Sequence, residues 1–347
     1  METQYYHIDK DKPDIRILAQ AADVLRQGGL VAFPTETVYG LGANGLDPRA
    51  VAGIFAAKGR PADNPLILHI ADRREVAKLA SRVPANAAAL MEKYWPGPLT
   101  VVLARTQIVP DVVTGGLDTV AIRLPASTVA RELIRLAGVP VAAPSANTSG
   151  RPSPTTAQDV ASDMDGRIEV ILDAGPCGIG VESTVVDCTT PVPTLLRPGG
   201  VTLEMLEDTL GEVEVDPALQ GEAVRPRAPG MKYTHYAPAA PMTLYEGDEA
   251  ATAIVRAAGE ALAAGRTVGA VVAAETAPLL PATVETVVYG ARADAEAAAA
   301  NLYSALRHFD DKRVDLILAE GLPETGLGLA VMNRLRKASG YRIVHCG

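Results

Sequence analysis

The chain is poor in what several function classes require. Its three cysteines, Cys177, Cys188 and Cys346, lie far apart with no CxxC pair, so neither a disulfide framework nor a zinc knuckle is indicated. Aromatic residues make up 4% of the sequence, too few for an extended base-stacking platform. Positive charge does not dominate. The 32 Lys and Arg stand against 41 Asp and Glu, net −9, which disfavours a duplex-coating protein and leaves open only a local cationic groove. No GxxxxGK[ST] phosphate loop occurs, so a P-loop ATPase is disfavoured. No apolar run reaches spanning length, and the opening METQYYHIDKDKPD is too polar for a signal peptide. The expectation is a soluble, cytoplasmic protein with no membrane partner.

What is present suggests two domains: 347 residues, 48% of them hydrophobic, exceed a usual single core. Residues 1–210 mix two periodicities. Ile15, Leu18, Ala22 and Leu25 recur at helical spacing before Gly28-Gly29; Leu30 to Phe33 reads as a buried strand; Pro48 to Lys58 is a helix opened by proline. LILHI at 66–70, Leu99 to Ala104, Thr119 to Leu124, Ser183 to Cys188 and Thr194 to Arg197 read as strands. This predicts an α/β domain with a twisted mixed sheet. Residues 211–238, rich in proline and charge, read as a linker. In 239–347 short strands alternate with helices, which predicts a smaller, Rossmann-like parallel α/β domain.

The motif that first draws the eye misleads. Gly40, Gly42 and Gly45 spell GxGxxG, but PTET intervenes after the preceding strand, and no helix opens within the motif as a dinucleotide site demands. The glycines read instead as a tight turn.

Polar and cationic residues gather at element ends. PTETVYG (34–40) supplies hydroxyls, among them Thr37. KGRPADNPL (58–66) joins Lys58, Arg60 and Asn64: a point charge, a planar fork and an amide, suited to oxyanions. A helix C-terminus also favours cations, so Lys58 and Arg60 are open to a capping role. His69 lies in an apolar strand, where a lone histidine is commonly a satisfied core residue. Arg123, in AIRLP, needs an anionic partner if buried. Ser145 and Asn147 in PSANTSG follow a strand, where α/β sheets bind ligands. Ser183 in GVEST and Arg197 in LRPGG adjoin turns. The inventory suits phosphates, carboxylates and bicarbonate better than hydride transfer or acyl-serine chemistry.

Taken in order, PTETVYGLG (34–42), KGRP with NPL (58–66), PSAN (144–147), ESTVVD (182–187) and LRPGG (196–200) resemble the YrdC-type domain of L-threonylcarbamoyladenylate synthases. PGMKYTHYAP (229–238) and GLGLAVMNRLRKAS (326–339) resemble the family's two-domain form. The resemblance implies a nucleotidyltransferase that joins L-threonine and bicarbonate (or carbon dioxide) as a carbamate and adenylates it with ATP, releasing pyrophosphate. The adenylate would go to separate proteins that modify the adenosine beside the tRNA anticodon. By the same resemblance Thr37, His69, Arg123, Ser145 and Ser183 face threonine. Arg60, Asn64, Thr119, Asn147, Thr155, Arg197 and Tyr236 contact ATP, and Lys58 with Arg60 is catalytic, holding bicarbonate, carbamate or phosphate oxygens. ATP is a substrate, magnesium its expected companion, and no protein-held metal is expected.

The linker then acquires a role: 229–238 is expected to fold over the nucleotide and keep water from the adenylate. Three rivals stand beside the synthase. An RNA-binding module, with a weak tRNA contact, is weakened by the negative charge of 1–210. A carbamoyl-transferring maturation factor would need cysteine pairs that are absent. A nucleotide-binding regulator without turnover would not need Lys58, Arg60, Ser145, Asn147 and Arg197 together.

Overall fold

The computed structural model describes residues 1–220 and 236–347, and they divide into two compact units. The first takes Met1–Ser149, Ser153–Gly178 and the described residues from Glu182 to 220; the second takes Gly150–Pro152, Ile179–Val181 and the described residues from 236 to Gly347. Two short pieces of chain, Gly150–Pro152 and Ile179–Val181, thus group with the second unit ahead of what reads in sequence as one boundary. Lys232, Tyr233 and His235 of the expected cover lie outside the described residues.

The strands of the first unit are β1 (Gln4–His7), β2 (Val31–Pro34), β3 (Tyr39–Asn44), β4 (Ile67–His69), β5 (Leu99–Ala104), β6 (Thr119–Arg123), β7 (Val141–Ala142), β8 (Val170–Asp173), β9 (Thr184–Asp187), β10 (Thr194–Arg197) and β11 (Glu214–Val215). They form one mixed sheet in the order β1-β8-β2-β3-β7-β4-β6-β5-β9-β10-β11. Its helices are α1 (Ile15–Arg26), α2 (Pro48–Lys58), α3 (Val76–Leu79), α4 (Ala85–Tyr94), α5 (Asp111–Thr114), α6 (Thr128–Ala137), α7 (Ala157–Met164) and α8 (Leu203–Leu210).

The helices start where their caps dictate. Asp14 accepts the Arg16 N–H before α1, Asp47 accepts that of Arg49 before α2, and Ser127 accepts that of Ala130 before α6. The stripe Leu18, Ala21, Ala22 and Leu25 of α1 and the stripe Val129, Ala130, Leu133 and Ile134 of α6 share one core with Val31, Phe33, Val141 and Leu172 of the sheet. Gly59 ends α2 in the left-handed conformation, the usual device for stopping a helix. That stop leaves Lys58 as the last residue of α2 and Arg60 just past its cap.

One expectation, the tight turn at GLGANG, fails for two of its three glycines. Gly45 does turn the chain, between Asn44 and Asp47, where the Asp47 N–H donates to the Asn44 carbonyl; the other two make no turn. Gly40 and Gly42 lie inside β3, paired antiparallel with β2 in the register Val31↔Gly42 and Phe33↔Gly40. They serve close packing. A Cβ on Gly42 would sit 2.7 Å from Val141 Cγ1 and 2.8 Å from a Phe33 ring carbon, and one on Gly45 would sit 2.5 Å from Leu68 Cδ2. Thr35 to Val38 form the hairpin turn between β2 and β3. Gly42→Ala is therefore expected to cost about 1–3 kcal/mol by overpacking; a urea titration showing no loss would count against this account.

The second unit holds β12 (Met242–Glu246), β13 (Val268–Ala273), β14 (Glu285–Gly290), β15 (Leu316–Glu320) and β16 (Ile343–His345) with α9 (Ala250–Ala263), α10 (Ala295–Asp311) and α11 (Gly328–Ala338). The sheet order is β14-β13-β15-β12-β16, and every pair in it is parallel. The chain leaves β12 through α9 towards β13 on one side, and leaves its neighbour β15 through α11 towards β16 on the other. β12 and β15 therefore flank a point where the winding reverses.

Candidate active site

β4 and β6 run side by side in the register Ile67↔Ala121 and His69↔Arg123. β5 joins antiparallel with Thr100↔Arg123, Val102↔Ala121 and Ala104↔Thr119, and β9 follows with Thr100↔Val185. Paired residues, and every second one along a strand, share a face. One face of the sheet thus carries Ile67, Val102, Ala121 and Val185, which cluster with Leu196 as a buried apolar floor. His69, Arg123 and Thr100 stand at one end of that floor. Thr119 lies on the same face at the opposite end of β6, about 13 Å away at the usual strand rise. Asn64, just before β4, belongs to Thr119's end.

The polar end is tied together by hydrogen bonds. Arg123 Nη1 donates to Thr37 Oγ1 at 3.0 Å, and Arg123 Nη2 pairs with Glu36 Oε1 at 2.6 Å. Glu36 Oε2 accepts the Ala126 N–H. The Thr35 and Thr37 hydroxyls are hydrogen-bonded to each other at 2.8 Å. Across the floor Ser183 Oγ meets Thr100 Oγ1 at 2.8 Å, and Arg197 donates to the Ser183 carbonyl and hydroxyl at 3.0 and 3.2 Å. Thr37, His69, Arg123, Ser183 and Arg197 are all buried. The structure thus brings together five residues singled out separately in the sequence.

A second group surrounds the end of α2. The buried Lys58 ammonium donates to the carbonyls of Ser145 and Asn147. Ser145 Oγ donates to Asn147 Oδ1 at 2.6 Å, and a bridge from Gly40 to Ser145 fastens this loop to β3. Lys58 is therefore a staple of the 144–147 loop as well as a charge, a role its spacing did not reveal. Half-buried Arg60 reaches back to the carbonyls of Asn64 and Pro65 at 3.4 and 3.5 Å. Thr155 is buried, its carbonyl accepting the Cys177 N–H. Tyr236 falls in the second unit. It is buried there with φ 65°, its ring 5.3 Å from that of Tyr303 and 5.9 Å from the Arg334 guanidinium carbon.

Among the described residues, the buried atoms Asn64 Nδ2, Asn64 Oδ1 and His69 Nδ1 have no hydrogen-bond partner. Native interiors satisfy nearly all such atoms, which marks these as exceptional. Burial, then the nearby Arg123 charge, pushes the His69 imidazole down to about 3. It is neutral at physiological pH and acts as a hydrogen-bonding group, with no positive charge. Folding keeps it unprotonated while the unfolded chain takes up a proton near pH 6.5. The stability it contributes is intact above that pH and falls by up to ~1.4 kcal/mol per unit as acid is added. His69→Gln is expected to flatten the loss of stability between pH 6 and pH 4.5 relative to the parent; parallel urea midpoints in the two proteins would contradict this.

Glu36 and Thr100 were not foreseen. Glu36 sits in a hairpin turn with nothing in the sequence to pair it with Arg123, and Thr100 reads as an ordinary strand residue. The one available signal was Arg123 itself, which required an anion. Among the described residues no group of three or more His, Cys, Asp or Glu is placed to hold a metal ion, and no helix is long and apolar enough to cross a membrane.

Comparison with known proteins agrees with this architecture. Residues 23–199 match the Sua5_yciO_yrdC family model, described as "Telomere recombination", and residues 201–340 match the Sua5_C model, "Threonylcarbamoyl-AMP synthase, C-terminal domain". The threonylcarbamoyl-AMP synthase of Pyrococcus abyssi is 53% identical over 93% of this chain and 94% of that protein. The Bacillus subtilis protein of the same name is 51% identical over 94% of each. The crystal structure of P. abyssi Sua5 complexed with L-threonine superposes with a TM-score of 0.95 at 50% identity, covering 99% of this chain and 100% of that one.

Proposed function

Since the chain belongs to the Sua5/YrdC family of threonylcarbamoyl-AMP synthases in its two-domain form, and is thus an enzyme of the nucleotidyltransferase type, we propose that it joins L-threonine, bicarbonate or carbon dioxide, and ATP on the floor bounded by His69 and Thr119. The observation that carries this reading is the trio of unpartnered buried atoms on Asn64 and His69, set beside fixed cations. The relative crystallised with L-threonine supports the threonine part.

The amine of threonine must lose its proton before its nitrogen forms the C–N bond of the carbamate. That bond forms by attack on bicarbonate with loss of water, or by addition to carbon dioxide with loss of a second amine proton to solvent. Neutral His69 offers an acceptor nitrogen and adds no charge that would repel an ammonium group. Arg123, already balanced by Glu36, presents its guanidinium to the threonine carboxylate, and the Thr37 and Ser183 hydroxyls orient the substrate. The carbamate oxygen then attacks the α-phosphorus of ATP, forming the P–O bond as the bond to pyrophosphate breaks. Arg60 and Arg197 stabilise the negative charge that gathers in this step, through placement and electrostatics with no covalent enzyme intermediate. Asn64, Thr119, Asn147, Thr155 and Tyr236 are assigned to the nucleotide, Asn147 through the loop that Lys58 and Ser145 hold. Magnesium would travel on the nucleotide phosphates, its usual mode of binding, and not in a protein cage. The adenylate would serve the modification of the adenosine beside the tRNA anticodon, by separate transfer proteins.

The test is pyrophosphate release from ATP with labelled bicarbonate. Release that depends on threonine supports the reading; release indifferent to threonine, or none, overturns it. Arg60→Ala is expected to lower turnover about 10²–10³-fold, the scale for removing one stabiliser of developing charge, with a nearly unchanged unfolding midpoint. A midpoint that collapses would make Arg60 structural. Lys58→Ala should lower both, because two loop carbonyls lose their donor.

A further inference from the structure

The second unit contains a crevice lined by none of the residues assigned above to the synthase reaction. It has a volume of about 460 Å³ and lies beyond the carboxyl ends of β12 and β15, where the winding of the parallel sheet reverses. Open α/β sheets bind their ligands at such switch points, and the size is that of small-molecule sites. Its walls indicate what would enter. Glu246 ends β12 and Asp248 follows it, Glu324 follows β15, and Arg292 follows β14.

Both nearby guanidiniums are already committed. Arg336 pairs with Glu246 at 2.8 Å and also with Glu324. Arg292 pairs at 2.6 Å with the buried Glu320. Arg336 thus balances one of its two carboxylates, and Asp248, exposed, makes no ion pair among the described residues. The crevice is left net negative. Glu246, Asp248 and Glu324 line it against the single lining cation Arg292, an excess that repels a phosphate or nucleotide, so the usual ligand of a Rossmann-like sheet is disfavoured here. A metal ion is disfavoured too, because the carboxylates do not converge as a ligand set and the space is far larger than one ion. Leu322, Pro323 and Met332 provide an apolar wall opposite the charge.

We propose that this crevice binds a small organic cation: a primary ammonium seated between Asp248 and Glu324, with its aliphatic body against Leu322, Pro323 and Met332. This goes beyond the synthase reading and does not depend on it.

The experiment uses the full chain labelled with 13C-methyl methionine, the Met332 resonance being assigned from Met332→Leu. Putrescine is the probe. It is expected to shift the Met332 signal saturably, with affinity at least tenfold weaker in Asp248→Asn, a substitution of an exposed carboxylate that should leave folding intact. Glu324→Gln should weaken binding similarly; Asp248→Asn carries the test if that second variant is destabilised. No saturable shift with putrescine, or a shift unchanged in Asp248→Asn, overturns the proposal. So does a Met332 response to magnesium chloride or inorganic pyrophosphate that putrescine does not produce.

Discussion

Arg123→Ala will lower folding stability by about 3–5 kcal/mol, the cost of removing one partner from a buried ion pair, and will abolish threonine-dependent pyrophosphate release. The side chains of Arg123 and Glu36 are 4% and 17% exposed and meet at 2.6 Å. Without the guanidinium, the Glu36 carboxylate is stranded beside the Thr35–Thr37 hydroxyl pair. The double substitution Glu36→Gln with Arg123→Met removes both charges, and replacing both members of a buried pair is often close to neutral. It should recover most of the stability and none of the activity. Denaturant titrations beside activity assays separate the two effects: recovered activity in the double variant would show that Arg123 acts only as scaffolding.

Asn64→Leu is expected to move stability and function in opposite directions. Asn64 is fully buried and neither amide atom has a partner among the described residues, an arrangement that costs about 1–3 kcal/mol while no ligand is present. Leucine is close in volume and carries no polar atoms. The variant should unfold at a higher temperature by about that margin and bind ATP about 100-fold more weakly, equivalent to about 2.7 kcal/mol. Calorimetric titration with ATP and a thermal melt give both readings. A lower melting point with unchanged ATP affinity would make Asn64 a structural residue.

Much of the architecture is legible in the residues. The α1 stripe, the proline-opened α2 and the strand LILHI all appear where periodicity places them, because each buries one face against a single core. The mixed and the parallel sheet follow from the same patterns. Strands with weak local signals escape notice. β3 is hidden because Gly40 and Gly42 look like punctuation, when what they satisfy is crowding by Phe33 and Val141 from elsewhere in the chain. β1, QYYH, shows no alternation because three of its four residues are exposed at a sheet edge. In the site, the sequence offers residue types but not partnerships. Arg123 announces its need for an anion, yet Glu36 is 87 positions away, and the carbonyls that Lys58 holds belong to no side chain. Contacts of this kind are properties of the folded sheet, invisible to any window along the chain.

The long-range pairing of β1 has a consequence for the life of the protein on the ribosome. Tyr5 aligns with Ile171, and Arg197, which closes the polar end of the floor, emerges later still. At ordinary rates of synthesis the first strand must wait roughly 10–30 s for its neighbour. During that interval two tyrosines and an unpaired strand edge face the cell. The charged run Asp9 to Asp14 that follows stands beside that edge as a gatekeeper against premature pairing. Strand β1 is thus among the last parts of its larger sheet to find its place.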